Sequence, residues 1–314
     1  MTEHVRWLAE PSLHRPTLIA AFTGWNDAGD SASNSVRHLI DSWSATPLAE
    51  IEPEEFTDFA TVRPHVRLTP TGDRTIVWPT VGVWSASTPG GDVILILGPE
   101  PALRWRLFSE QIVGIAHRFE STMMLTLGAL LADVPHSRPV QLIGTATDQS
   151  MIDRFDLQRS RYEGPTGIVG VLHDACGHHD LSSASLWAAV PAYASQVPSP
   201  KASLALVQRA CDMIGSPAPT ARLVEQTRDY DDRVSAFVSD DDDLLGYVAR
   251  LEALADDGLI DTGFEQEDDH DDDDDDDDEA IGGELGEPGL LGDQNVSSDE
   301  LMAEVEQFLR DQGK

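Results

Sequence analysis

Short apolar runs that end abruptly in glycine-rich turns constrain this chain more than any other feature. Residues 17–22 (TLIAAF) run into the turn 24–30 (GWNDAGD), and residues 31–43 then carry Val36, Leu39, Ile40 and Trp43 at helical spacing. That is a strand, a polar turn and an amphipathic helix. The pattern recurs. Residues 92–97 (DVILIL) stop at Gly98-Pro99-Glu100-Pro101, and a helix is predicted from about Leu103 to Phe119. Residues 123–127 meet Gly128 and a predicted short helix, and 140–143 end at Gly144-Thr145-Ala146-Thr147-Asp148. Gly164-Pro165-Thr166-Gly167 opens an apolar helical stretch ahead of a strand over 185–190, and residues 75–84 alternate weakly as one further strand. Such alternation buries its apolar runs when helices cover both faces of a sheet, so the class is α/β.

Past Pro217 and Pro219 the pattern changes. Val234, Asp241, Val248 and Ala255 recur every seven residues, with Phe237, Leu244 and Leu251 three residues after the first three. Asp241 interrupts this stripe, and Ser239 ahead of four aspartates reads as a helix cap followed by acids that the helix dipole favours. The expectation is two consecutive helices over 219–260, packed on an α/β core domain of residues 1–218. Residues 261–296 include eight consecutive aspartates and little apolar material, which predicts a disordered acidic linker. In 297–314, Ser297-Ser298-Asp299-Glu300 has capping-box spacing, and Leu301, Val305, Phe308 and Leu309 form one apolar face. That amphipathic helix is expected to dock on its own domain or on a protein partner.

The charge removes several classes of function. Fifty-six Asp and Glu stand against twenty-one Lys and Arg, a formal net charge of −35. Residues 1–260 are acidic as well as the tail, so neither nucleic acid nor an anionic membrane surface is an expected partner. The only lysines, Lys201 and Lys314, lie outside any glycine-rich loop, so no phosphate loop of the G-x-x-x-x-G-K-[ST] type is present. Two cysteines, Cys176 and Cys211, make no disulfide framework. Without an eighteen-residue apolar run or a signal-peptide pattern, the expected location is cytoplasmic.

Three segments carry the candidate ligand-binding residues. The turn with Gly24, Trp25, Asn26, Asp27 and Gly29 lies where open α/β sheets place ligands, ahead of a helix N-terminus that favours an anion. Its plain reading is a capped strand–helix turn with Trp25 packed beneath it. Glu100 and Arg104, with Arg106, put a carboxylate and guanidiniums at another strand end, either as a polar clamp or as an ordinary i,i+4 ion pair. Gly164, Thr166 and Gly167 complete the set, which is expected to converge at one edge of the sheet. His173, Cys176, His178, His179 and Asp180 look metal-like, but no second ligand cluster accompanies them, so no metal site is assigned. With no G-x-S-x-G, H-E-x-x-H or G-x-G-x-x-G, no catalytic residue and no cofactor are assigned either.

Four strings in order, G-W-N-D-A-G-D (24–30), G-P-E-P-x-L-R-W-R (98–106), T-L-G-A-L-L-A-D-V-P-H-S-R-P (126–139) and Y-E-G-P-T-G-I (162–168), resemble the actinobacterial branch of the proteasome assembly chaperone two family. The resemblance covers roughly residues 10–255. It implies a three-layer α/β/α sandwich similar in architecture to purine nucleoside phosphorylases, here with an added helical segment. It also implies a homo-oligomer, with a trimer favoured. Proteasome-docking relatives end in a hydrophobic residue, a tyrosine and any residue. Asp311-Gln312-Gly313-Lys314 lacks that pattern, so docking through the terminus is not expected. Two functions follow as expectations. One is a non-enzymatic binding or assembly-chaperone-like protein. The other is a phosphorylase-like enzyme or small-ligand-binding protein, with backbone amides and arginines of the three segments holding an anionic group.

Overall fold

The computed structural model describes residues 3–259. The expected acidic linker and the helix bearing Leu301, Val305, Phe308 and Leu309 lie outside the described residues. Eight strands form one sheet in the order β1 (Val5–Trp7), β3 (Thr46–Ile51), β6 (Val81–Thr88), β7 (Gly91–Pro99), β2 (Thr17–Thr23), β8 (Met123–Ala132), β10 (Ser183–Pro191) and β9 (Leu142–Ala146). The central four, β7, β2, β8 and β10, run parallel, and the pairs toward both edges are antiparallel. Residues 18–22 of β2 are buried without exception, as a parallel strand covered on both faces requires.

Side-chain alternation sorts the sheet into two cores. Ile19, Ala21, Leu95, Leu125, Leu127 and Leu186 face α1 (Ser31–Ser42) and α5 (Pro200–Ile214). Leu18, Ala20, Phe22, Ile94, Ile96 and Met124 face the other way, toward α2 (Trp105–Arg118) and α4 (Ile168–His178). On that second face Phe108 of α2 meets Phe22 and Phe56 edge to face, with ring centroids 5.8 and 5.3 Å apart. The result is the α/β/α sandwich.

A short α3 (Gln149–Phe155) follows β9, and α6 (Ala221–Ser239) and α7 (Asp242–Asp256) follow α5. Tyr230, Val234 and Val238 of α6 and Val248 of α7 pack with Ala194, Tyr193 and Val197. Arg138 joins α7 to the core through two 2.7 Å hydrogen bonds to the Asp256 carboxylate. Asp241, not Ser239, caps α7: its Oδ1 accepts from the backbone of Asp243 and Leu244, at 3.0 Å each. The residue that spoils the heptad stripe is the one that starts the second helix.

Two readings of the sequence need correction. The strand expected over 75–84 is two strands parted at Trp78-Pro79. Its first part is β5 (Arg74–Val77), which pairs with β4 (His65–Leu68) in a separate hairpin, and its second part begins β6. The helix expected after Gly128 does not form, because β8 runs on to Ala132. Gly128 marks a close approach, not a stop. A Cβ there would lie 2.5 Å from Cε3 of Trp187, whose indole crosses the strand at that point. β1, β3, β4 and α3 have no counterpart among the elements expected from the residues. The strands among them lie at the edge of the main sheet or in the exposed hairpin, where apolar patterning is weak.

Every residue of the two strands of the β4–β5 hairpin is exposed. Val66 pairs with Ile76 and Leu68 with Arg74, which sets Val66, Leu68 and Ile76 on one side at 53, 70 and 57% exposure. The turn is closed by the Thr69 N–H donating to the Asp73 carbonyl at 2.9 Å and by the Thr69 and Thr71 hydroxyls. No helix among the described residues is long and apolar enough to cross a membrane.

Candidate functional site

The parallel strands β2 and β7 end beside each other, so the turns that follow them begin as neighbours. The Glu100 N–H donates to the Thr23 carbonyl at 3.0 Å and brings its side chain against the 24–30 turn. Glu100 Oε1 then accepts two hydrogen bonds, from Asn26 Nδ2 at 2.7 Å and from the backbone N–H of Ile168 at 2.8 Å. Ile168 is the first residue of α4, so the carboxylate also caps that helix. Gly167 permits the closure: a Cβ there would stand 2.3 Å from Asn26 Oδ1. The three segments singled out in the sequence therefore meet at Glu100, Asn26 and Gly167.

Asp27 performs the matching task for α1. Its Oδ1 accepts from the Ala32 and Ser33 backbone at 2.8 and 3.0 Å, and burial pushes its carboxyl above the usual range against the pull of those bonds. The Asn26 carbonyl accepts from Ala129 of β8 at 2.8 Å, and the Gly29 carbonyl from Ser199 at 2.8 Å. The N-termini of α1 and α4 are thus met by the chain's own carboxylates. Arg104 stands apart. It adopts a left-handed backbone (φ 51°) just before α2, is largely exposed, and pairs with Glu55. Arg106 lies within α2.

A cavity of about 740 Å³ opens beside this junction. Its floor is the face of β8, β10 and β9 on the α4 side, where Ser185 pairs with Thr145 and Trp187 with Gly128. Val169, Gly170 and His173 of α4 form one wall and the segment 160–167 another. Trp25 is not packed beneath its turn. It stands 65% exposed and lines the cavity together with Gly24, Gly164, Thr166 and Gly167. Asn26, Asp27, Gly29, Glu100 and Arg104 do not line it.

The floor carries linked hydroxyls. Thr145 Oγ1 lies 2.9 Å from Ser185 Oγ, which also accepts from the Trp187 indole N–H at 3.3 Å. Deeper, His173 is held between the Thr126 hydroxyl, 3.0 Å from Nε2, and the Ser183 hydroxyl, 2.8 Å from Nδ1. Burial drives its imidazole down from 6.5 to about 4, so it is neutral at pH 7. Cys176, one turn further on, is buried in the second core, and its thiol is pushed up to about 12. Among the described residues, no three His, Cys, Asp or Glu side chains are placed to hold a metal ion.

Sequence reasoning missed the floor. The signal was present in residues 183–187 (SASLW), where Ser183, Ser185 and Trp187 alternate with Ala184 and Leu186. Hydroxyls repeating every second residue within a buried strand mark a face that no helix fully covers.

A sequence profile described as the PAC2 family matches residues 21–238. The solved structure of a PAC2 family protein from Streptomyces avermitilis is 41% identical, with a TM-score of 0.69, over 74% of this chain and 99% of that one. A structure from Mycobacterium tuberculosis described as a proteasome-assembly chaperone homologue is 39% identical, with a TM-score of 0.68 and the same coverage. An archaeal proteasome activator from Pyrococcus furiosus shares the fold alone. It is 14% identical, with a TM-score of 0.62, over 76% of this chain and 99% of that one. No protein of curated function matches the chain.

Glu100→Ala strands the Asn26 amide and the Ile168 N–H together and should destabilise by roughly 2–5 kcal/mol, whereas Glu100→Gln keeps an acceptor at Oε1 and should lose about 1. Urea midpoints of the two variants check this, and equal losses would contradict it. His173 binds a proton less readily folded than unfolded, so stability falls as the pH drops from 6.5 toward 4. The contribution is up to about 3 kcal/mol. His173→Gln should show a correspondingly shallower fall between pH 7 and pH 4, and parallel curves would contradict it.

Proposed function

This chain belongs to the PAC2 family, and on that premise we propose that it is a non-enzymatic binding or assembly-chaperone-like protein that works as a homo-oligomer, with a trimer favoured. The description of the M. tuberculosis relative as a proteasome-assembly chaperone homologue supports the assembly part of this reading.

The observation that carries it is the β4–β5 hairpin. An isolated two-stranded ribbon is marginal in water, and this one holds Val66, Leu68 and Ile76 out in solvent on one side. Such an arm gains its stability when the apolar side meets another surface. Its charge says which kind. Arg63, Arg67 and Arg74 lie on or beside the hairpin, with Asp73 as the acid in its turn, in a chain of net charge −35. A basic, apolar arm on an acidic body is complementary to the body of another copy, and the contact offsets part of the repulsion between protomers.

Light scattering at tens of micromolar should give a mass near three chains, in the range where an interface of standard size holds. The double variant Leu68→Asp, Ile76→Asp should shift the mass to one chain while leaving the fold intact by circular dichroism. A wild-type monomer, or a variant that keeps the wild-type mass, would overturn the reading.

A further inference from the structure

We infer that the cavity over β8, β10 and β9 is a binding site for an uncharged, planar, largely apolar molecule of two or three rings. This goes beyond the assembly reading and does not depend on it. The volume, about 740 Å³, lies within the roughly 300–1,000 Å³ typical of small-molecule sites. Among the described residues no aspartate, glutamate, lysine or arginine lines it, and Arg161 and Glu163 of the 160–167 segment are not among its lining residues. In a chain of net charge −35 that is a pronounced exclusion, and it leaves a charged ligand without a counter-charge once water is displaced. The two carboxylates nearest the junction are turned into the protein as helix caps, and Arg104 is engaged with Glu55, so none of these three groups is directed at the cavity.

What the cavity offers is aromatic surface and a few hydroxyls. Trp187 lies across Gly128 on the floor, and Trp25 and Tyr162 stand at the lining with 65 and 46% of their surface exposed. The Tyr162 hydroxyl donates to the Pro165 carbonyl at 2.9 Å, which holds the ring against the 160–167 wall. Flat faces at floor and rim select a flat ligand, because stacking rewards ring over chain. The Thr145–Ser185 pair retains donor and acceptor capacity for one or two directed hydrogen bonds. His173 adds no charge at neutral pH.

The test uses the full chain and two probes of one skeleton, uncharged N-phenyl-1-naphthylamine and its anionic counterpart 8-anilinonaphthalene-1-sulfonate. The uncharged probe should show saturable fluorescence at one site per chain and bind at least tenfold tighter than the sulfonate. Val169 lines the cavity without joining either main core, so Val169→Phe should fill the space and abolish saturable binding. Trp25→Ala, at an exposed position, should weaken binding about tenfold with the melting temperature unchanged, and it decides the matter if Val169→Phe does not fold. Binding that survives the folded Val169→Phe variant, a Trp25→Ala effect below twofold, or tighter binding of the sulfonate would each overturn the assignment.

Discussion

One carboxylate oxygen joins the parts of this structure that matter for function. Glu100 Oε1 receives the Asn26 amide and the Ile168 N–H, partners 74 and 68 residues away in sequence. The turn after β7 supplies the carboxylate, the turn after β2 supplies the amide, and α4 supplies its first N–H. A carboxylate oxygen accepting from two donors is among the stronger hydrogen-bonding arrangements, and losing it strands two donors at once. The direction of α4, and with it the cavity wall of Val169, Gly170 and His173, depends on that anchor.

The same logic reverses what a glycine-rich turn at a strand end usually suggests. Such turns, followed by helix N-termini, are ready-made anion sites. Here Asp27 meets the N-terminus of α1 and Glu100 that of α4, so the favourable partial charges are used by the protein itself. The cavity lies to the side, on the face of β8, β10 and β9 beside α4, where hydroxyl and indole groups replace charge. The hairpin leaves the sheet between β3 and β6, toward the other end of the strand order, so its surface and the cavity draw on separate elements.

Much of this was legible in the residues. The apolar runs at 17–22, 92–97 and 185–190 are central parallel strands, because a strand buried on both faces leaves a continuous apolar signature. The meeting of the GWNDAGD, GPEP and GPTG segments was readable from their places after strands and before helices. Less legible was anything set by contact between distant residues. Gly128 read as a stop, because nothing local reveals that Trp187 lies over it. Arg104 read with Glu100, because i,i+4 spacing hides the left-handed backbone that turns it toward Glu55. Trp25 allowed two readings, ligand-binding or packed beneath its turn, because its exposure is set by the fold and not by its neighbours in sequence. The Ser183, Ser185 and Trp187 alternation is visible in the residues, but its meaning depends on β8 and β9 flanking it.

The central claim is that Glu100 fixes the start of α4 as firmly as the core fixes the sheet. Amide hydrogen exchange at Ile168, resolved by NMR in the full-length protein, tests it most directly. Ile168 should exchange only with global unfolding, at the rate of amides in β2 and β8 and far more slowly than those of 160–166. Exchange at Ile168 as fast as in the 160–166 segment would show that the carboxylate does not hold the helix, and the account of both junction and cavity would fail.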